Sequence, residues 1–271
     1  MPKKAIDNVA IMSDSHCGSW WGWTPPRYWN ALTPPGVKWL WECRKKQLRL
    51  WPKRLDMLIL NGDHIDGKQR RSEGTSVVST SLAVQTDMAI ECYEPFVERA
   101  DIVVRVGGTA YHESFDGPLE KLDMAFGIKK PKDPIDCLVR DIRLSKDCLI
   151  NVKHKPEGGA CLYKLTAVDR EALWASVMEQ HANLENADYL IRSHFHNLSG
   201  PARAFNKVIV GTPCWCLQQP YAVHSRYYRY QPDVGSVLLQ RHKLGFKGYV
   251  ILDTTFPLPP REGKWYDEDA N

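Results

Sequence analysis

Five short apolar runs in this chain each stop at residues able to bind a metal ion, and that recurrence constrains the fold more than any single motif. Val9–Met12 is followed by Asp14 and His16 in IMSDSHCGS. Met57–Leu60 leads into NGDHIDG, with Asp63, His64 and Asp66. Ile102–Val106 leads into GGTAYHES, with Thr109, His112 and Glu113. Leu149–Val152 precedes His154, and Tyr189–Ile191 precedes RSHFHN with His194 and His196. Runs this short and this apolar read as buried strands. Functional groups of open α/β sheets collect at the carboxyl edge of the strands, so residues distant in sequence can meet there. A buried knot of imidazoles and carboxylates is costly to desolvate unless a cation balances it. Singly, a D-x-H pair or a lone His is more often a turn residue or a solvated bystander. Taken in order, the set points to a metal site.

The rest of the chain alternates in the same way. Val208–Val210 and Tyr249–Leu252 read as further strands. Val37–Trp51 has helical character and ends before Pro52. Ser76–Arg99 spaces Val77, Ala83, Val84, Met88, Ala89, Cys92 and Phe96 close to a helical period, and Asp169–Asn186 repeats the pattern with Leu173, Trp174, Val177, Met178 and Leu184. Strands alternating with helices indicate an α/β layered fold. With no internal repeat or low-complexity linker, one domain over 1–271 is expected, carrying a Trp-rich insertion at about 17–54 and an irregular stretch near 218–235.

Composition excludes few classes. Hydrophobic residues at 43% and charged residues at 25% argue against wholesale disorder. A net charge of +4 permits a phosphate-bearing partner without demanding one. No apolar run approaches the ~20 residues needed to span a bilayer, and the N-terminus lacks a signal-peptide core, so a cytoplasmic protein with no membrane association is expected. The 8 cysteines show no paired C-x-x-C spacing, which fits reduced, packed thiols, Cys17 among them. Cys214 and Cys216 form a lone C-x-C, a pattern able to bind metal but weak when isolated, and strand residues with both thiols on one side explain it better.

Carboxylate with neutral imidazole suits a first-row ion such as Mn²⁺, Fe, Zn²⁺ or Ni²⁺ better than Mg²⁺ or Ca²⁺. Five or six candidate ligands exceed the capacity of one tetrahedral ion. Two divalent ions sharing a carboxylate, about 3.5–4 Å apart, fit better.

In their order, D-x-H, G-D-x-x-D, a Gly-rich turn with His and an acid, a lone His, and H-x-H resemble the signature of calcineurin-like metallophosphoesterases. The resemblance spans Asp14 to His196. It implies a layered sandwich of two mixed sheets flanked by helices, with the metal site at the C-terminal ends of strands. It also implies that Asp14, His16 and His196 hold one ion, His154 and His194 the other, and that Asp63 bridges both. His112 becomes either the proton donor to the leaving group or a ligand of the second ion, with Glu113 orienting its ring. Asp66 braces the turn or a ligand His, and His64 either stands beside the ligands or is a partly exposed loop residue. The usual third motif, Gly-Asn-His-Asp/Glu, is replaced by Gly108-Thr109-Ala110-Tyr111-His112-Glu113, which looks like a Gly-Thr-x-x-His variant of phage-associated members. A water or the Thr109 hydroxyl then stands where the Asn amide would ligate. The Arg that often follows the second motif is absent, with Gly67 and Lys68 in its place.

The implied activity is hydrolysis of phosphodiester or phosphomonoester bonds, with a metal-bridging hydroxide attacking phosphorus in line and His112 protonating the departing oxygen. The implied partner is a phosphate ester, with nucleotides or nucleic acid within range, and no obligate protein partner is inferred. Two alternatives remain: a DNA or RNA nuclease of the same superfamily, and a non-catalytic metal-binding interaction module. Seven of the 10 Trp lie within the first 51 residues. Trp20 and Trp21 stand close enough to the D-x-H to stack a base, or they pack the loop onto the body. The basic run RKKQLRLWPKR at 44–54 either tracks a phosphate backbone or forms a solvated helix face. His181, His224 and His242 have no strand-end context.

Overall fold

The computed structural model describes residues 6–113, 118–129, 133–156, 166–182, 184–219 and 231–258. Among them the elements run β1 (Asn8–Met12), α1 (Pro35–Leu50), β2 (Leu55–Asn61), α2 (Leu82–Val97), β3 (Ala100–Val106), α3 (Pro118–Ala125), β4 (Val139–Ser145) and β5 (Cys148–Lys153). They continue with α4 (Thr166–His181), β6 (Tyr189–Arg192), β7 (Ser199–Ala204), β8 (Lys207–Gly211), β9 (Val234–Phe246) and β10 (Tyr249–Phe256). Two five-stranded sheets form, in the orders β10-β9-β1-β2-β3 and β4-β5-β6-β8-β7. Each has a parallel centre of three strands, β1-β2-β3 in one and β5-β6-β8 in the other; antiparallel strands flank the second on both sides and the first only beyond β1, so β3 is an edge strand. The architecture is an α/β sandwich of two mixed sheets flanked by helices.

Strand side chains alternate between faces, and here both faces are covered, which explains the unbroken apolar runs. Val9, Ile11, Met57 and Ile59 point into the core between the sheets, against Ile150, Val152, Ile191 and Val210. Ala10, Met12, Leu58 and Leu60 point the other way, onto Leu40, Met88, Tyr93 and Phe96 of α1 and α2. On the far side of the second sheet, Leu190 and Ile209 meet Ala172 of α4. Helix, sheet, sheet and helix follow one another as layers.

The Trp-rich segment holds the crossover from β1 to β2. Trp23, Trp41 and Trp51 are core residues, and the Trp23 ring lies 4.5 Å from that of Trp215. In the basic run, Arg44 is buried and donates to the Cys92 and Glu91 carbonyls at 2.8 and 2.9 Å, whereas Lys45, Lys46, Arg49, Lys53 and Arg54 are exposed.

Several expectations need correction. α2 starts at Leu82 rather than Ser76, because Ser81 caps it by accepting from the Val84 N–H. Val77 belongs to the preceding loop, bridged to Ser19. In α4, Leu173, Trp174 and Met178 face solvent, as does Leu184 beyond it. The buried side of that helix carries Ala172 with Glu171 and Glu179, which pair with Arg192 at 3.0 Å and Lys207 at 2.5 Å. Cys214 and Cys216 lie past the end of β8 rather than in a strand. His181 and His242 are exposed, whereas His224, Cys161 and residues 220–230 of the irregular stretch lie outside the described residues. No helix among the described residues is long and apolar enough to cross a membrane.

Candidate metal centre

All six strands of the two parallel centres run out at one edge of the sandwich. β1 is followed by Asp14 and His16, β2 by Asp63 and Asp66, β3 by Thr109 and His112, β5 by His154, β6 by His194 and His196, and β8 by Cys216. Five of these residues hold left-handed backbone: Asp14 (φ 51°), His16 (42°), Asp63 (49°), His194 (75°) and His196 (56°). That region costs a typical L-residue about 1–2 kcal/mol, so its repetition at one edge reflects turns forced to aim side chains inward. Two glycines let the loops close up. A Cβ on Gly62, itself at φ +79°, would stand 2.4 Å from His154 Nδ1, and one on Gly108 would stand 2.2 Å from Asp63 Oδ1.

The ligand-type atoms converge. His16 Nε2 lies 3.1 Å from His196 Nε2, which lies 3.2 Å from Asp14 Oδ1. His154 Nε2 lies 3.0 Å from Asp63 Oδ2 and 3.7 Å from Asp14 Oδ1. Three groups have ligand atoms all within 4.8 Å of one another: Asp63 with His154 and His194, Asp63 with His16 and His112, and His16 with His196 and Cys216. Asp63 thus belongs to two groups. His112 stands with His16 and Asp63 rather than with His154 and His194.

The rings are held from behind. His154 Nδ1 donates to the Asn61 carbonyl at 2.7 Å, and His112 Nδ1 to the Asp66 carbonyl at 2.8 Å. His16 Nδ1 meets Asp66 Oδ1 at 3.1 Å. Each partner fixes the ring and turns Nε2 toward the cluster, the arrangement by which proteins orient metal-ligating histidines. Asp14 Oδ2 accepts from the His194 N–H at 3.2 Å. Asp14 Oδ1 and His154 Nε2 are buried with no hydrogen-bond partner. They are near other polar atoms yet aimed at a shared volume, and oxygen and imidazole donors of this kind fit a first-row cation.

Burial works to raise the Asp14 carboxyl, but His154 and His196 outweigh it and hold it well below the usual range. Asp63 is likewise held down, burial being overcome chiefly by His154 and His112. Against its own burial, His154 is pushed up to about 10 by Asp63 and Asp14. Burial, reinforced by His154, takes His194 down to about 4. Two carboxylates therefore stay ionised in a desolvated pocket, and a positive charge between them is favoured.

Several neighbours take places that the sequence left open or misassigned. Glu113 accepts from the His64 N–H at 2.5 Å and the Gly108 N–H at 2.6 Å, tying the second and third loops together; the His112 ring is oriented by the Asp66 carbonyl instead. Thr109 sends both its N–H and its hydroxyl to Asp63 Oδ1, at 2.7 and 3.1 Å. His64 is fully buried rather than part of an exposed loop, and burial with Arg105 nearby lowers it to about 3. Trp20 and Trp21 are half-buried, and the Trp21 carbonyl accepts from the Leu217 N–H at 2.7 Å. Cys216, which sequence reading sets aside as one half of an isolated C-x-C, lies in the third group of ligand atoms, with His16 and His196; it follows another short apolar run, Val208–Val210.

No family model matches the chain, and no curated protein matches it by sequence. Among solved structures it is similar to a dimetal phosphatase from Danio rerio, at 11% identity and a TM-score of 0.48 over 94% of this chain and 100% of that one. It is also similar to Chaetomium thermophilum Vps29, at 11% identity and a TM-score of 0.44 over 94% and 100%. A metallophosphoesterase from Sphaerobacter thermophilus follows at 10% identity and a TM-score of 0.39 over 92% and 89%.

Proposed function

We propose that this chain is a two-metal phosphoesterase acting on phosphodiester or phosphomonoester bonds. The observation that carries the proposal is the sharing of Asp63 between one imidazole group containing His16 and another containing His154 and His194. Asp14, His16 and His196 would hold one ion, His154 and His194 the second, and Asp63 both. Mn²⁺, Fe, Zn²⁺ and Ni²⁺ all suit that donor set. When bound, the ions would supply Lewis acidity toward the phosphoryl oxygens and a hydrolytic nucleophile at neutral pH.

The protein's own groups do the rest. Thr109 and the backbone around Gly108 fix the Asp63 carboxylate, so its lone pairs are aimed before any ligand arrives. His112, held through Nδ1, presents Nε2 beside the cluster and in its protonated form can pass a proton to the departing oxygen. Asp14 is fully buried, whereas the His196 side chain is 15% exposed, so a substrate would approach most readily from the His196 side. Trp20 or Trp21, in the loop that follows Asp14 and His16, would favour substrates with an aromatic base if its ring reaches the cluster.

The test is hydrolysis of a panel of monoesters, diesters, cyclic nucleotides and DNA by protein stripped of metal and reloaded with Mn²⁺. Turnover of a small phosphate ester that a chelator abolishes and Mn²⁺ restores is the expected result. Stoichiometric ion binding with no hydrolysis of any ester would overturn it in favour of an interaction module, and cleavage of DNA alone in favour of the nuclease.

A further inference from the structure

We propose that Cys216 is a sulfur ligand of the ion site built by His16 and His196, an inference that rests on the metal-centre reading above. Its Sγ and a ring nitrogen from each histidine lie within 4.8 Å of one another. Donors around a tetrahedral ion at about 2.0–2.3 Å are separated by roughly 3.3–3.8 Å, so small side-chain adjustments complete the shell. The position is built rather than incidental. β8 is the sixth parallel strand, hydrogen-bonded to the β6 strand that delivers His194 and His196. Cys216 is buried, like the Asp14 and Asp63 carboxylates opposite.

A second observation ties the thiol to the ligands. The Gln219 side-chain amide reaches Cys216 Sγ at 3.6 Å and Asp66 Oδ1 at 3.1 Å. Asp66 Oδ1 in turn orients His16 through Nδ1 at 3.1 Å. One amide thus braces both the sulfur and the carboxylate behind the imidazole, as outer groups brace known metal ligands. The thiol itself donates to the Leu217 carbonyl at 2.9 Å, which holds it in place. Cys214 contrasts with it: its Sγ donates to the Cys216 carbonyl at 3.1 Å, and it belongs to none of the ligand groups among the described residues.

When an ion binds, the Cys216 S–H bond breaks, the proton goes to solvent, and the sulfur lone pair forms the metal–sulfur bond. A thiolate beside two imidazoles selects Zn²⁺, Fe²⁺ or Co²⁺ over Mn²⁺ at this position, while the Asp63–His154–His194 side keeps an oxygen-and-nitrogen set. The two ion sites would therefore differ in metal preference.

Titration of the metal-stripped protein with Co²⁺, read by absorption, tests this without any assay of activity. The expected result is a near-ultraviolet thiolate-to-cobalt charge-transfer band that saturates with binding, vanishes in Cys216→Ser and persists in Cys214→Ser. Cys216→Ser should also weaken Zn²⁺ more than Mn²⁺, by roughly tenfold or more. The parental spectrum decides the matter even if a variant fails to fold. Cobalt bound with visible d–d bands but no charge-transfer band would overturn the sulfur ligand and leave the centre standing. Absence of any bound cobalt, with Asp63→Asn indistinguishable from the parent, would overturn both.

Discussion

The two sheets furnish the candidate centre unequally. The loops of the first supply both carboxylates of the proposed ligand set, Asp14 and Asp63, together with His16, and these three are all but fully buried. The loops of the second supply three imidazoles, neutral when they ligate, from His154, His194 and His196, and the Cys216 thiol, which would ligate as a thiolate. His194 and His196 are half-buried. The carboxylates are thus confined to one half and the imidazoles with the more open positions to the other. Neither edge alone offers a site; the centre exists where the inter-sheet core brings the edges together. A polar seam stitches them just beneath it, with Ser13 to Thr212 at 2.8 Å, Thr212 to Ser193 at 2.7 Å and Asn61 to Ser193 at 2.6 Å.

The sharpest way to break the asymmetry is to remove the shared charge. Asp63→Asn keeps the shape and the Thr109 contacts but removes the anion from both groups. Turnover and the second bound ion should both be lost, a larger effect than the roughly 10–100-fold typical of an outer-shell partner. Steady-state kinetics with metal analysis check this, and parental turnover would contradict it.

Next comes the core that holds the halves in register. Ile150→Ala, between the sheets, should cost about 2–5 kcal/mol of stability. It should also reduce the thermal stabilisation conferred by added Mn²⁺, because metal affinity depends on both edges being in place. Calorimetry with and without Mn²⁺ measures both quantities.

The smallest expected change sharpens the comparison within the first sheet. Asp66→Asn leaves every ligand in place but weakens the acceptor behind His16, predicting a loss of about 10–100-fold in metal affinity confined to the His16 side. Isothermal titration should then show one weakened and one unaltered site.

Much of this was legible because strands buried on both faces are largely apolar, so β1, β2, β5, β6 and β8 announce themselves, and the edge strand β3 adds the apolar run Ile102–Val104; the residues after them mark the candidate site. The strands that escaped notice obey different rules. β4 and β7 are sheet edges, one reading VRDIRLS with four charged or polar residues and the other SGPARA with Pro201, since an edge needs only one apolar face and tolerates proline. β9 is buried over Val234–Leu239 and then runs out as a hairpin through charged, exposed Arg241–Lys243, which hides its length. In α4 the apolar period picked the wrong face, because the helix docks through Ala172 and the paired charges of Glu171 and Glu179. Cys216 is set aside on sequence grounds because an isolated C-x-C is a weak spacing signature; the parallel pairing of β8 with β6 brings it to the same edge as His196.

Anomalous diffraction from crystals soaked in Mn²⁺ tests the central claim most directly. The account predicts two peaks about 3.5–4 Å apart on either side of the Asp63 carboxylate, one within reach of Asp14, His16 and His196 and the other of His154 and His194. Strong peaks elsewhere on the molecule, with none at Asp63 in a soak that saturates binding in solution, would contradict it.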